Sequence, residues 1–199
     1  MAYPTVSAPY GLKPINLIGG QVFAGATRMI PIASGYATGI FYGDVVKLAS
    51  DGTLVKDTGT TAATPIGVFL GCTYTDPSLK YKLNNQQFPA GTVASDIFAV
   101  VCDDPDALFQ VALVSGTTVV AGLGRTVVGT NVALVQNAGN TNTGNSAVAA
   151  LTGSSATTSS LPLRVVDVVY DTATGTDTFV EVIVKWNQGM HQYLNATGV

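Results

Sequence analysis

Residues 43–76, GDVVKLASDGTLVKDTGTTAATPIGVFLGCTYTD, decide the expected fold of this chain. Apolar runs lie on both sides of the Asp51-Gly52 pair, and a nearly all-apolar segment follows at 65–74. Asp-Gly between two apolar runs is a strong signal for a β-hairpin, because Gly accepts a positive φ and Asp tolerates one. The stretch therefore predicts a hairpin followed by a third, largely buried strand.

The composition of the whole chain favours strands over helices. Of 199 residues, 47% are hydrophobic and only 11% are charged, and Glu181 is the single glutamate. Helices favour Glu, Lys, Leu and Arg, whereas Val, Thr and aromatic residues favour strands. The chain is also too hydrophobic and too weakly charged for a disordered protein. We therefore expect a mainly β fold with a barrel or sandwich core and an extended N-terminal arm.

Charge and hydropathy narrow the range of partners. The net charge is −3, and the nine Lys and Arg residues are spread thinly, which argues against binding nucleic acid through its phosphates. No apolar run approaches the length of about 18 residues that a membrane span needs, and the N-terminus does not resemble a signal peptide. We expect no nucleic acid, no membrane, and synthesis in a cytoplasm. Such a neutral surface suits a chain partly covered by other subunits.

Turn signals and composition divide the chain into three predicted regions. Residues 1–35 contain four prolines and are predicted to form the extended arm. Residues 36–102 are predicted to form a β core, and residues 103–199 a β-rich C-terminal part. Within the latter, the Asn-, Gly-, Thr- and Ser-rich residues 136–160 are predicted to form a polar surface loop.

The arm carries apolar side chains that are costly to leave in water. It must therefore pack either on its own core or on a neighbouring subunit, and the sequence leaves both open. We predict that its apolar residues contact a neighbouring protein or subunit. These residues are Tyr3, Tyr10, Leu12, Ile15, Leu17 and Phe23.

No set of residues in the sequence predicts catalysis. Asp103, Asp104 and Asp106 flank Pro105 and are predicted to cap a short helix or a turn, because the spacing of a calcium loop is absent. His191 is the only histidine, and no metal or nucleophile motif accompanies it, so it is predicted to be exposed or packed at an interface. We expect no enzyme, no cofactor and no metal.

Two cysteines and one tryptophan are predicted to be structural. Cys72 lies in the apolar run at 65–74 and Cys102 ends another at 97–102, so both are expected to be buried, reduced thiols. Two strands at 161–169 and 178–186 are predicted to close the chain as a hairpin. Trp186 shares a face of the second strand with valines and is predicted to pack in a core or an interface, with a ligand platform as the alternative.

Several segments resemble structural proteins of tailed phages. Residues 43–76 are similar to the core of phage head decoration proteins, in which a GD-V strand, a DG hairpin and a GV-LG strand build a small β-barrel-like fold called a β-tulip. Three further segments resemble virion structural proteins. They are YGLKPINLIGGQVFAGATRMIPIASGYATGIFYGD at 10–44, SDIFAVVCDDPDALFQV at 95–111 and VKWNQGMHQYLNATGV at 184–199.

The resemblance implies a cement protein on the outer surface of an icosahedral head, made in the host cytoplasm. Its implied partners are the major capsid protein and further copies of itself, as a dimer or trimer on the shell. The resemblance carries over no catalytic residue. A tail or head-fibre component is the alternative among structural proteins. A carbohydrate-binding β module, with Trp186 and tyrosines stacking on sugars, is the alternative from another class.

Overall fold

The computed structural model describes residues 9–120, 122, 124–173 and 179–199, which form twelve β-strands in two sheets. The strands are β1 (Lys13–Leu17), β2 (Arg28–Pro31), β3 (Val45–Leu48), β4 (Leu54–Lys56), β5 (Gly67–Thr75), β6 (Lys82–Asn85), β7 (Phe98–Cys102), β8 (Ala107–Val114), β9 (Asn131–Val135), β10 (Ala149–Ala156), β11 (Leu163–Val168) and β12 (Glu181–Trp186). Two short 3-10 turns, Gly124–Val127 and Tyr170–Thr172, are the helical elements of the described residues. The predicted mainly β fold is confirmed.

The first sheet closes into a five-stranded barrel. Its strands pair in the order β8, β10, β9, β11, β12, and β12 pairs again with β8. A ring with an odd number of strands cannot be antiparallel throughout, and the one parallel pair joins β8 to β10. On β8, β10 pairs with the last two residues only. β1 pairs with the first half of β8 along the same edge.

Alternating side chains along β12 fill the barrel. Val180, Val182, Val184 and Trp186 are buried in its core, as predicted for one face of this strand. The Trp186 ring packs against Phe109 of β8, with ring centroids 5.4 Å apart. The β11–β12 hairpin is confirmed, and Trp186 is a core residue, so its alternative role as a ligand platform is wrong.

The second sheet is open, with the strand order β2, β7, β5, β3, β4, and β6 paired to the end of β5. Residues 43–76 supply its centre, and the predicted hairpin is β3–β4. Gly52 has a φ of +78°, and the Asp51 carboxylate accepts a hydrogen bond from Thr53 N at 2.9 Å. The sequence signal for the turn is therefore confirmed in its geometry.

The centre of the second sheet is buried on both faces. Val45 and Val68 face the barrel core, whereas their chain neighbours Val46 and Phe69 belong to a second core on the other side. This explains the continuous apolar run of β5, because a strand that is buried on both faces carries apolar residues at successive positions. The two sheets therefore pack against each other through the barrel core.

The arm is not a separate region, which corrects the predicted division. Its described part gives β1 to the barrel and β2 to the second sheet, so the second sheet begins at residue 28 and not at 36. Gly11 N donates to Val148 O at 3.2 Å and Leu12 N to Gly43 O at 3.0 Å, which ties the chain to both sheets. Pro14 in β1 and Pro31 in β2 do not prevent strand formation, because each of these strands has a free edge, where proline is tolerated.

One further prediction on the C-terminal part is wrong, and one pair of alternatives is resolved. Residues 136–160 are not one loop, because they contain β10, whose small Ala149 and Ala150 are fully buried in the barrel wall. After Asp104 the structure has the turn and not the short helix, which resolves the two predicted alternatives. A turn leads directly into β8 at Ala107, since the β-rich sequence after it pairs with β1 and β12. Tertiary pairing thus overrides the polar composition and the helix start signal.

Candidate interaction surface

Alternation along β2 and β7 leaves the second sheet with an uncovered apolar face. Ile30 and Ala99 point into the second core, so Met29 and Phe98 point to the opposite face. Met29 is 53% exposed and Phe98 is 36% exposed. We call this surface the open face; it comprises Met29, Pro31, Phe98 and Val100.

The open face was not found from the sequence. The apolar run at 97–102 predicts a buried strand, and nothing in the sequence distinguishes Met29 from the other apolar residues of the arm. Both sides of β2 and β7 are apolar, so alternation could not reveal which side the rest of the chain covers. The partly exposed Phe98 corrects the prediction of a fully buried strand.

An unpaired strand edge borders the open face. Among the described strands, β2 pairs only with β7 and forms one end of the second sheet. Edge strands present unpaired N–H and C=O groups that can pair with another chain. Pro31, the last residue of β2, lacks an N–H donor and shortens the stretch of edge that is open to pairing.

A groove of about 320 Å³ adjoins the open face at Gly71. Gly71 has a φ of +138°, and a side chain there would place its Cβ 3.0 Å from Asn85 O, so glycine keeps the groove open. The Gln86 side chain is fixed at its rim by a hydrogen bond from Nε2 to Asn145 Oδ1 at 2.6 Å. The lining residues are Tyr42, Leu70, Gly71, Cys72, Asn84, Asn85, Gln86 and Val100.

The six residues predicted to contact a partner lie in different environments. Leu12 is fully buried in the barrel core of its own chain, which corrects its assignment to an interface. Leu17 and Phe23 are half-buried and pack against the same core. Tyr10 and Ile15 are also half-buried, with Tyr10 beside the Lys13 ammonium at 4.0 Å. Tyr3 lies outside the described residues.

The three aspartates after β7 do not form one site. Asp103 accepts hydrogen bonds from Arg28 Nε at 2.8 Å and from Tyr193 Oη at 2.9 Å. The Asp104 carboxylate accepts the N–H of Asp106, while Asp106 itself lies 3.4 Å from Lys185 Nζ. Each carboxylate therefore has its own structural contact, and Asp104 caps the turn as one of the two predicted possibilities.

A buried ion pair anchors the second sheet to the loop at 136–148. Asp44 is fully buried, and its Oδ2 lies 2.8 Å from Lys56 Nζ on β4. Ser146 Oγ donates to Asp44 Oδ1 at 2.6 Å, and Phe41 N donates to Oδ2 at 2.9 Å. A buried carboxylate requires such partners, because an unpaired buried charge is strongly destabilising.

Both thiols are buried and reduced, as predicted. Burial raises the pKa of Cys72 to about 12 and that of Cys102 to about 11. A thiol is nucleophilic only as a thiolate, so these two cysteines are protonated and inert at neutral pH.

His191 is fully buried, which corrects the prediction that it is exposed or packed at an interface between subunits. The residues after β12 fold back onto the second sheet and contact the ends of its strands, and no local sequence pattern predicts such a return. Its Nδ1 accepts a hydrogen bond from Tyr193 N at 3.2 Å. Burial lowers the pKa of His191, and the nearby Asp103 and Asp104 carboxylates only partly offset this.

Comparison of the chain with family models, curated proteins and solved structures found no match. Within the described ranges, no group of three or more His, Cys, Asp or Glu side chains is placed to hold a metal ion. None of the helices in the described part is long and apolar enough to cross a membrane.

Proposed function

We propose that this chain is a structural virion protein that binds the outside of an icosahedral phage head and cements neighbouring major capsid proteins. The observation that carries the proposal is the open face. It combines exposed apolar side chains, Met29 and Phe98, with the unpaired edge of β2. Exposed apolar surface beside a free strand edge is suited to a protein partner.

Binding to the shell is proposed to combine strand pairing with side-chain burial. A strand of the capsid protein pairs with the edge of β2, and its apolar side chains pack on Met29 and Phe98. The groove at Gly71 accepts one further side chain. Each contact is modest, but many copies on one shell multiply their effect through high effective concentration.

The way in which the subunit holds its two sheets together supports a cementing role. β1 belongs to the barrel and β2 to the second sheet, so a single segment of 19 residues, 13–31, ties the two sheets together. The Arg28–Asp103 ion pair fastens the edge strand to the end of β7. A force applied to β2 by the shell is therefore passed into the whole subunit.

Reconstitution on undecorated heads tests the proposal. Purified protein is incubated with phage heads that lack it, and cryo-EM maps are compared for the wild type and the double variant Met29→Asp, Phe98→Asp. Val119→Asp is the matched control, because Val119 is 66% exposed on the loop after β8 and belongs to no strand of the second sheet.

The proposal expects regular density on the outer surface of the head for the wild type and for Val119→Asp. It expects loss of that density for the double variant while its circular dichroism spectrum stays unchanged. Binding to tails or fibres only would favour the alternative structural role. Equal occupancy of the double variant, or no binding of the wild type to the head, would overturn the proposal.

A further inference from the structure

The chain after β12 folds back onto the second sheet through one glutamine. Gln192 Oε1 accepts a hydrogen bond from Leu48 N at 2.8 Å, and Gln192 Nε2 donates to Leu48 O at 3.3 Å. The backbone N of Gln192 also donates to Pro65 O at 2.8 Å. The side-chain amide thus pairs with the end of β3 as another strand would. We call residues 187–195 the C-terminal clasp.

A second anchor of the clasp joins it to the edge strand. Tyr193 Oη donates to Asp103 Oδ2 at 2.9 Å, the same oxygen that Arg28 Nε contacts at 2.8 Å. The Arg28 guanidinium also lies over the Tyr193 ring, 5.4 Å from its centroid. The clasp therefore contacts the ends of β2 and β3 and the residue that follows β7.

His191 lies between these two anchors and is fully buried. Because its Nδ1 accepts the N–H of Tyr193, the single proton of the neutral ring is on Nε2. Nε2 is buried without a hydrogen-bond partner among the described residues. A second proton on Nδ1 would face the N–H of Tyr193 and break that hydrogen bond, so the seated clasp requires a neutral ring.

The charged groups around the ring do not remove this requirement. The backbone carbonyls of Ile66 and Asp103 favour the protonated form of the ring. The Asp103 and Asp104 carboxylates, which face the ring from the turn after β7, favour it too. Asp103 is already engaged by Arg28 from β2 and by the phenol of Tyr193 from the clasp. Burial is the larger effect and disfavours the charged ring.

We propose that the C-terminal clasp is a pH-sensitive latch, seated on the second sheet while His191 is neutral and released when the ring takes up a proton. His191 is the only histidine of the chain. No other side chain has an ordinary pKa between 5 and 8, so this residue alone couples the clasp to mild acid.

The sign of the effect follows from the two states of the latch. The released clasp binds a proton with an ordinary histidine pKa of about 6.5, whereas the seated clasp binds it only at lower pH. Release therefore becomes more favourable as pH falls below about 6.5 and is unaffected above it. The equilibrium constant for release is expected to rise roughly 30-fold between pH 8 and pH 5 if the seated ring stays neutral.

Hydrogen exchange measured by mass spectrometry tests the latch in the full-length protein at pH 8 and pH 5, with rates corrected for intrinsic exchange. Peptides covering residues 187–199 are expected to lose protection by up to roughly 30-fold at pH 5. Peptides from β8 in the barrel are expected to stay protected. Unchanged protection of the clasp between the two pH values would overturn the proposal.

Two variants separate the latch from general loosening of the clasp. In His191→Gln the side chain cannot be charged, so the pH dependence of exchange at residues 187–199 is expected to vanish. Tyr193→Phe is the matched control. It removes the hydrogen bond to Asp103, and is expected to speed exchange at both pH values while the ratio between them is kept. The same ratio in His191→Gln as in the wild type would contradict the latch.

A direct titration keeps the test decisive if His191→Gln does not fold. The Cε1 proton of the one histidine is followed by NMR in the folded wild-type protein from pH 8 downward. The latch requires a folded-state pKa below the ordinary value of about 6.5. A folded-state pKa at or above that value shows that the seated clasp accepts the charge and overturns the proposal.

Discussion

The barrel and the second sheet are both built from short, Val-rich strands, yet only the barrel is closed. The barrel ring closes on itself, so β8 and β12 pair on both edges. The second sheet ends at β2, whose residues are mostly exposed, with only Ile30 buried. Closure removes strand edges, and an open sheet keeps them. The barrel therefore supplies stability, and the second sheet keeps the surface that a partner can use.

The two sheets also differ in how their boundaries are held. The barrel wall is maintained by strand pairing around an apolar core. The open sheet relies on polar anchors at its ends, namely the Asp44–Lys56 pair, the Arg28–Asp103 pair and the Gln192 contact with Leu48. The boundaries of the open sheet therefore depend on individual side-chain contacts, whereas the barrel wall depends on a closed ladder of backbone hydrogen bonds.

The largest expected effect comes from truncating an aromatic residue in each sheet. Trp186→Ala in the barrel is expected to lower the free energy of unfolding by about 3–5 kcal/mol, because Trp186 is fully buried against Phe109. Phe98→Ala on the open face is expected to cost about 1 kcal/mol or less, since the ring is partly exposed already. Urea unfolding measures both, and equal losses would remove the distinction between the sheets.

The next effect tests whether the arm belongs to its own subunit. Leu12→Ala is expected to cost about 2–5 kcal/mol, because this side chain is fully buried in the barrel core. Ile15→Ala, a half-buried neighbour on β1, is the control and is expected to cost less. The two melting temperatures compare them. A neutral Leu12→Ala would return this residue to the interface that the sequence suggested.

A smaller effect separates two glycines of the second sheet. A Cβ on Gly67 would overlap the carbonyl of Cys102 on β7, so Gly67→Ala is expected to cost about 1–3 kcal/mol by forcing the strands apart. Gly52 has open space around it, so a side chain there meets no clash. Its positive φ is the reason that Gly52→Val is expected to cost roughly 1 kcal/mol. Thermal unfolding ranks them, and the reverse order would contradict the close approach of β5 and β7.

The smallest effect concerns the two thiols. Cys102 lies on the side of the second sheet that faces the barrel core, and Cys72 lies in the second core on the other side. Cys72 and Cys102 are expected to react slowly with a thiol reagent at pH 7.5, because both are buried and their pKa values are raised to about 12 and about 11. Both should react fast in denaturant. Cys72 borders the groove, so fast labelling of Cys72 alone would show that the groove opens deeper than described.

Local sequence signals predicted the parts of the fold whose causes are local. The Asp51-Gly52 turn, the alternation of Val182, Val184 and Trp186, and the two buried cysteines all follow from short-range patterns, and all are confirmed. The Asn- and Ser-rich stretch failed as a loop prediction because β10 is held in place by β8 and β9, which lie far away in the chain. The composition of this stretch does not indicate which strands pair with it.

The candidate surface shows the same limit more strongly. Met29 and Ile30 are neighbours of similar hydrophobicity, and only the packing of the second core decides which of them faces solvent. His191 was equally ambiguous, because its burial depends on Gln192 and Tyr193 finding strands more than 80 residues away. Contacts of that separation leave no periodic trace near the residue that they bury.

By itself, the sequence determined that this protein is mainly β, that its centre is a hairpin followed by a largely buried strand, and that its thiols are internal. Those features depend on backbone preferences and on the alternation of side chains, which act over a few residues. Only the tertiary structure decided that one sheet closes and the other stays open, that the arm is shared between them, and that the only histidine is buried where the C-terminal clasp docks on the second sheet. Those outcomes depend on which distant strands pair, and the free energy of that choice is distributed over the whole chain.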